Sequence, residues 1–137
     1  MITRKILLFV LLFISIINLQ AQSFQEFLLV LTQKNQPDKA LFIEQFLDQH
    51  DTLPIVEDSM VHFLYYGPLN NLAIAGDFTA WNPAQGAMTK IPETNLWYRS
   101  ESFDPATQLH YKLVSERNNW FLDPGNPLIS DGDFQNS

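Results

Sequence analysis

The chain has 137 residues, 46% of them apolar, no cysteine, and fifteen acidic against eight basic side chains for a formal charge of −7. That length suits one small domain with a short extension. The absence of cysteine excludes a disulfide framework, a thiolate metal site and a cysteine nucleophile, and the acidity opposes nucleic acid and anionic lipid, whose phosphates require Lys and Arg.

Arg4 and Lys5 precede an apolar run from Ile6 to Ile17, interrupted only by Ser15. A core of about a dozen residues fits the signal-peptide range of roughly 7–15 and falls short of the about 20 needed to span a bilayer. Leu19-Gln20-Ala21 offers a small residue for cleavage. Residues 1–21 are therefore expected to be a signal peptide, with the exported chain, periplasmic or extracellular, starting at Gln22 and not inserted stably in the membrane. An uncleaved anchor is the competing reading. Removing the leader leaves six basic against fifteen acidic residues, a charge of −9 that suits a neutral ligand.

Phe24, Phe27, Leu28 and Leu31 fall at i, i+3, i+4 and i+7, one face of an amphipathic helix. Asn35-Gln36-Pro37-Asp38 interrupts it, and Pro37 suits the first turn of a second helix. That helix runs to about Gln49, with Ile43, Phe46 and Leu47 on one side and Phe42 beside Phe46. Two short helices bury little on each other, so residues 22–52 are expected to dock on the body of residues 53–137 or on a partner domain.

From Leu53 onward the apolar period changes to two. Val61, Phe63 and Tyr65 alternate with His62, Leu64 and Tyr66 until Gly67-Pro68. Leu72 and Ile74 mark a second strand closed by Gly76-Asp77, Ala87 to Ile91 a shorter one, and Leu96 to Phe103 a fourth. Leu109, Tyr111 and Leu113 face one way, and His110, Lys112 and Val114 the other. Asn118-Asn119 then turns the chain into Trp120-Phe121-Leu122. Short strands, turn signals at roughly ten-residue spacing and many aromatics predict a mainly β chain, an antiparallel sandwich preceded by two short helices.

The chemistry centres on two indoles and a lysine. Trp81 follows a Gly-Asp turn, where loops lie at the surface, and Lys112 faces outward if Tyr111 and Leu113 are core. Indole faces cover the apolar face of a pyranose while polar groups bond its hydroxyls. The alternative is that Trp81, or Trp120, merely covers an end of the sandwich; Trp97, in mid-strand, reads as packing. No Gly-x-Ser-x-Gly elbow is present. His50, His62 and His110 show no Ser and Asp constellation and read as scattered exposed or strand histidines. Asp131-Gly132-Asp133 lacks the spaced acids of a calcium loop. No catalytic residue, metal or cofactor is implied.

Gly76-Asp77-Phe78-Thr79-Ala80-Trp81, Leu96-Trp97-Tyr98, Tyr111-Lys112-Leu113-Val114, Trp120 and Asp123-Pro124-Gly125-Asn126-Pro127 occur in the order seen in carbohydrate-binding module family 48. Over residues 60–136 the chain thus resembles the glycogen-binding domain of the AMP-activated kinase β subunit and the early-set domains of glucan-branching enzymes. The resemblance implies an immunoglobulin-like early-set sandwich, with an oligo- or polysaccharide held by Trp81, Lys112, Trp120 and, in the final loop, Asn136. Thr79 replaces the Asn more usual in the family, and the Ser130–Asp133 loop departs from the glucan-binding version. In the family that final loop leads into the last strand, so a sandwich lacking this strand is expected here, with a catalytic portion encoded downstream. Phe24 to Gly67 resembles the start of secreted bacterial esterases related to enterochelin esterase, in which an early-set domain precedes an α/β-hydrolase domain. Together the resemblances imply a non-catalytic, α-glucan-like binding module at the N-terminus of an exported esterase-type hydrolase. The alternative is a structural early-set domain that supports the hydrolase and binds no sugar.

Overall fold

Helix α1, Phe24–Gln33, begins at a capping box: Ser23 Oγ accepts from the Glu26 N–H, and the Glu26 carboxylate accepts from the Ser23 N–H. Helix α2, Gln36–Leu47, carries Pro37 in its first turn as expected. The computed structural model describes residues 22–130, so the expected signal peptide and Asn136 lie outside the described residues. Phe24, Phe27 and Leu31 of α1 and Ile43 and Phe46 of α2 are buried together, with the Phe27 and Phe46 rings stacked 3.8 Å apart. Among the described residues, no helix is long and apolar enough to cross a membrane.

Seven strands follow: β1 Ile55–Glu57, β2 Met60–Tyr66, β3 Leu72–Gly76, β4 Thr89–Lys90, β5 Leu96–Ser102, β6 Tyr111–Ser115 and β7 Asn119–Phe121. They form two antiparallel sheets, four strands in the order β1-β2-β5-β4 and three in the order β3-β6-β7. The short β1, between Pro54 and an acidic turn, is not separately visible in the sequence. The run from Ala87 to Ile91, expected as one strand, divides between the sheets. Ala87 bridges Ala73 and the Met88 N–H donates to the Leu72 carbonyl, whereas Thr89 and Lys90 pair with Tyr98 and Trp97. Gly86 permits the close approach to β3, because a Cβ there would sit 1.7 Å from the Ile74 carbonyl oxygen.

The sheets pack face to face as a β-sandwich. Phe63 and Trp97 of the larger sheet meet Leu72, Ile74, Tyr111 and Leu113 of the smaller one. Trp97 is core, as its mid-strand position predicts, although its buried indole N–H has no partner among the described residues. The other face of the larger sheet, with Ile55, Leu64 and Leu96, is covered by α1 and α2. The molecule is therefore three layers: helices, a four-stranded sheet and a three-stranded sheet. This answers what the helices dock on. Their partner is the sheet within the same chain.

Phe46→Ala should lower unfolding stability by about 3–5 kcal/mol, the range for truncating a buried phenylalanine. Urea denaturation checks this, and an unmoved midpoint would mean that the helices are a loose extension.

Candidate functional site

Register decides what the three-stranded sheet shows to solvent. Residues directly opposite in an antiparallel pair share a face. Ile74 pairs with Leu113, and Leu113 with Phe121, on the inner face. Ala75 pairs with Lys112, and Ala73 with Val114, itself opposite Trp120, on the outer face. Lys112 and Trp120 therefore share the outer face as diagonal neighbours. This is the sheet face that the helices leave uncovered. Trp120 is 37% exposed, Lys112 is half-buried, and Val114, under its indole partner, is nearly closed off.

Trp81 stands at the end of the same strand pair. Gly76 ends β3 opposite Tyr111, and a Cβ there would lie 2.4 Å from the His110 carbonyl. Buried Thr79 shapes the turn: its Oγ1 accepts from the Gly76 N–H at 2.9 Å and donates to the Gly76 carbonyl at 3.1 Å. The residue that departs from the family pattern thus folds the loop. The Trp81 N–H donates to the Gly76 carbonyl at 2.9 Å, and its indole Nε1–H donates to Asp77 Oδ1 at 3.2 Å. The other oxygen of Asp77 accepts from the His110 N–H at 2.8 Å, tying the turn to the approach of Lys112. Trp120 is held in the same way, its Nε1–H donating to Asn118 Oδ1 at 2.9 Å. Trp81 is half-buried, and neither indole belongs to either core.

Both rings are thus satisfied along one edge, so stacking on them leaves no indole N–H unpaired. Among the described residues six non-glycine positions have positive φ, and four of them, Ala80, Trp81, Arg117 and Asn118, lie in the two loops that carry or adjoin these indoles. Such conformations cost roughly 1–2 kcal/mol per ordinary residue and cluster where function maintains them. Between the two loops is a cleft of about 390 Å³ lined by Ala73, Val114, Pro83, Arg117 and Asn118. The Glu116 carboxylate accepts from the Asn70 and Asn71 N–H groups; the Asn70 bond foremost holds that carboxyl below its ordinary value.

The Asp123–Pro127 turn is anchored beneath the sheet. Tyr111 Oη donates to Asp123 Oδ2 at 2.8 Å, Asn126 Nδ2 donates to Tyr111 Oη at 3.1 Å, and the Gly125 N–H donates to Asp123 Oδ1 at 2.8 Å. Burial raises the Asp123 carboxyl above its ordinary value. Burial, then the Asp123 charge, raises the Tyr111 hydroxyl, so it stays a donor throughout the working pH range.

The histidines need a correction. His62, 1% exposed, is neither scattered nor isolated: its Nδ1 lies 2.7 Å from Ser100 Oγ and its Nε2 3.1 Å from Glu57 Oε2. A carboxylate only accepts, so Nε2–H donates to Glu57 and Nδ1 accepts from Ser100. The Phe24 ring lies 4.5 Å from the imidazole, and the Phe24 N–H donates to Glu57 Oε1 at 2.8 Å, so the helix layer packs on this Ser-His-Glu file. The file is a polar tie between α1 and the sheet. His50 bonds the Phe46 carbonyl, and His110 lies 3.4 Å from Asp77. Among the described residues, no cluster of His, Asp or Glu forms a metal site.

No protein-family model matches this chain, and no curated protein matches it. Geometry and residue chemistry carry the functional reading.

Two measurements test the anchor. Tyr111→Phe withdraws a donor from a buried carboxylate and should cost about 1–3 kcal/mol in urea denaturation. Asp123 has its folded-state value above its unfolded one, so its contribution is full below the ordinary value of 3.8 and is lost as pH rises through the folded value. Asp123→Asn should remove that share of the decline, measured as thermal midpoints from about pH 4 toward neutrality.

Proposed function

We propose that this chain is a non-catalytic carbohydrate-binding module with an immunoglobulin-like early-set sandwich, working beside an exported esterase-type hydrolase domain. One observation carries the reading: Lys112 and Trp120 share the sheet face that the helices leave open, and Trp81 stands at its end. A saccharide ring of the α-glucan type stacks its apolar face on Trp81 or Trp120, and the Lys112 ammonium donates to a hydroxyl. The indoles need little reordering, because Asp77 and Asn118 already fix their edges; pre-set side chains lower the entropy cost of binding.

Affinity electrophoresis of the full chain through glycogen, starch and xylan gels tests this. Retardation by at least one polymer is expected, with Trp81→Ala and Trp120→Ala each weakening it by about 1–3 kcal/mol, the scale of a lost aromatic contact. Equal mobility of the wild type and both variants on all three would sink the binding reading.

A structural role, supporting the hydrolase domain without binding sugar, is the second reading. It is favoured by Leu29, Val30 and Leu41, large apolar side chains exposed on the helix layer. It expects Trp81 and Trp120 to contact the partner domain or the helices, and for Trp120 the partner domain is what remains. That indole lies on the outer face of the opposite sheet.

A further inference from the structure

The described residues include six cations, and four of them are engaged. Lys39 pairs with Glu93 and Arg99 with Glu101. Lys34 lies over the Phe42 ring; Lys90 lies over Trp97 and donates to the Leu69 carbonyl. Lys112 and Arg117 hold no ion pair, hydrogen bond or ring contact among the described residues. These two flank Trp120, one diagonal to it across the strands, the other in the turn that leads into its strand. The carboxylates beside them bond elsewhere, Asp77 with the Trp81 indole and the His110 N–H, Glu116 Oε1 with the Asn70 and Asn71 N–H groups. Lys112 and Arg117 are therefore the cations on the indole face whose heads have no protein acceptor among the described residues.

Arg117 also lines the cleft of about 390 Å³ beside Val114, a size within the range of small-ligand clefts, about 300–1,000 Å³. Its guanidinium is a planar fork matched to a carboxylate. Its backbone is held at φ 60°, a conformation that arginine does not favour by itself.

We propose that the saccharide taken by this face is acidic, a polysaccharide bearing hexuronate units, with a uronate carboxylate on Arg117 and a neighbouring pyranose on Trp120. This rests on the carbohydrate-binding reading and puts a charged hexuronate polymer in place of its neutral α-glucan. Arg117 is the specificity-determining residue; Lys112 bonds hydroxyls and adds to the local field. It also revises the expectation that an acidic chain suits a neutral ligand, because the local charge on this face, not the sum over the chain, meets the sugar.

The test compares the full chain on polygalacturonate and on the same polymer with its carboxylates methyl-esterified, alongside starch. Polygalacturonate should bind about tenfold more tightly than its ester at low salt, the scale of one charge-assisted contact, and the margin should shrink as salt rises. Arg117→Asn keeps a residue that tolerates positive φ, so the turn is retained. It should abolish the preference for the acid over its ester. Equal retention on acid and ester, retention on starch alone, or a preference that survives Arg117→Asn would each overturn the inference while leaving the carbohydrate-binding reading in place. No retention on any polymer would overturn both.

Discussion

From Val61 to Tyr66, each residue of β2 faces either the second sheet or the helices. Val61, Phe63 and Tyr65 pack into the sandwich, while Leu64 and Tyr66 pack under α1 and α2 and His62 lies against Phe24. A strand apolar on both sides requires two covers, and the chain supplies them as a three-stranded sheet and a helix pair. Within the helix-side cover, the polar His62 is acceptable because Ser100 and Glu57 satisfy both its nitrogens. The same half-buried carboxylate holds the first N–H of α1, so one group ties the sheet to the helix above it.

With the larger sheet enclosed, the outer face of β3, β6 and β7 is the sheet face left to meet a ligand. Its chemistry differs from ordinary surface. The indoles are pinned by their edges, two neighbouring turns hold non-glycine residues in left-handed conformations, and unpaired cations stand among carboxylates that are already bonded. Local hydrogen bonds therefore orient the two indoles before any ligand arrives, and packing in the core does not consume them.

What the sequence revealed follows from what alternation can encode. The parity of β6 placed Lys112 opposite Tyr111 and Leu113, and the register agrees. The two helices were legible from their apolar stripes and from Pro37, and mid-strand Trp97 was legible as core. Alternation does not say which sheet a strand joins, so the division of Ala87–Ile91 between sheets was hidden; the close packing of Gly86 on Ile74 decides it. Nor does it say what covers a face. Both sets of β2 residues are large and apolar, yet the helix docking emerges only in three dimensions. The His62 file was illegible because Ser100 reaches it through strand pairing across 38 positions. Arg117 carried no motif at all: its interest lies in what it does not touch.

The segment from Ala87 to Lys90 has one further consequence. Because it pairs first with β3 and then with β5, it is a covalent spine along one side of the sandwich. The opposite side, where Val56 and Leu128 stand exposed beside an apolar cleft, is joined instead by a backbone hydrogen bond between loops, the Leu53 N–H donating to the Gly125 carbonyl at 2.8 Å. The two margins of the sandwich are thus closed by different means, continuous chain on one side and a hydrogen bond between two loops on the other.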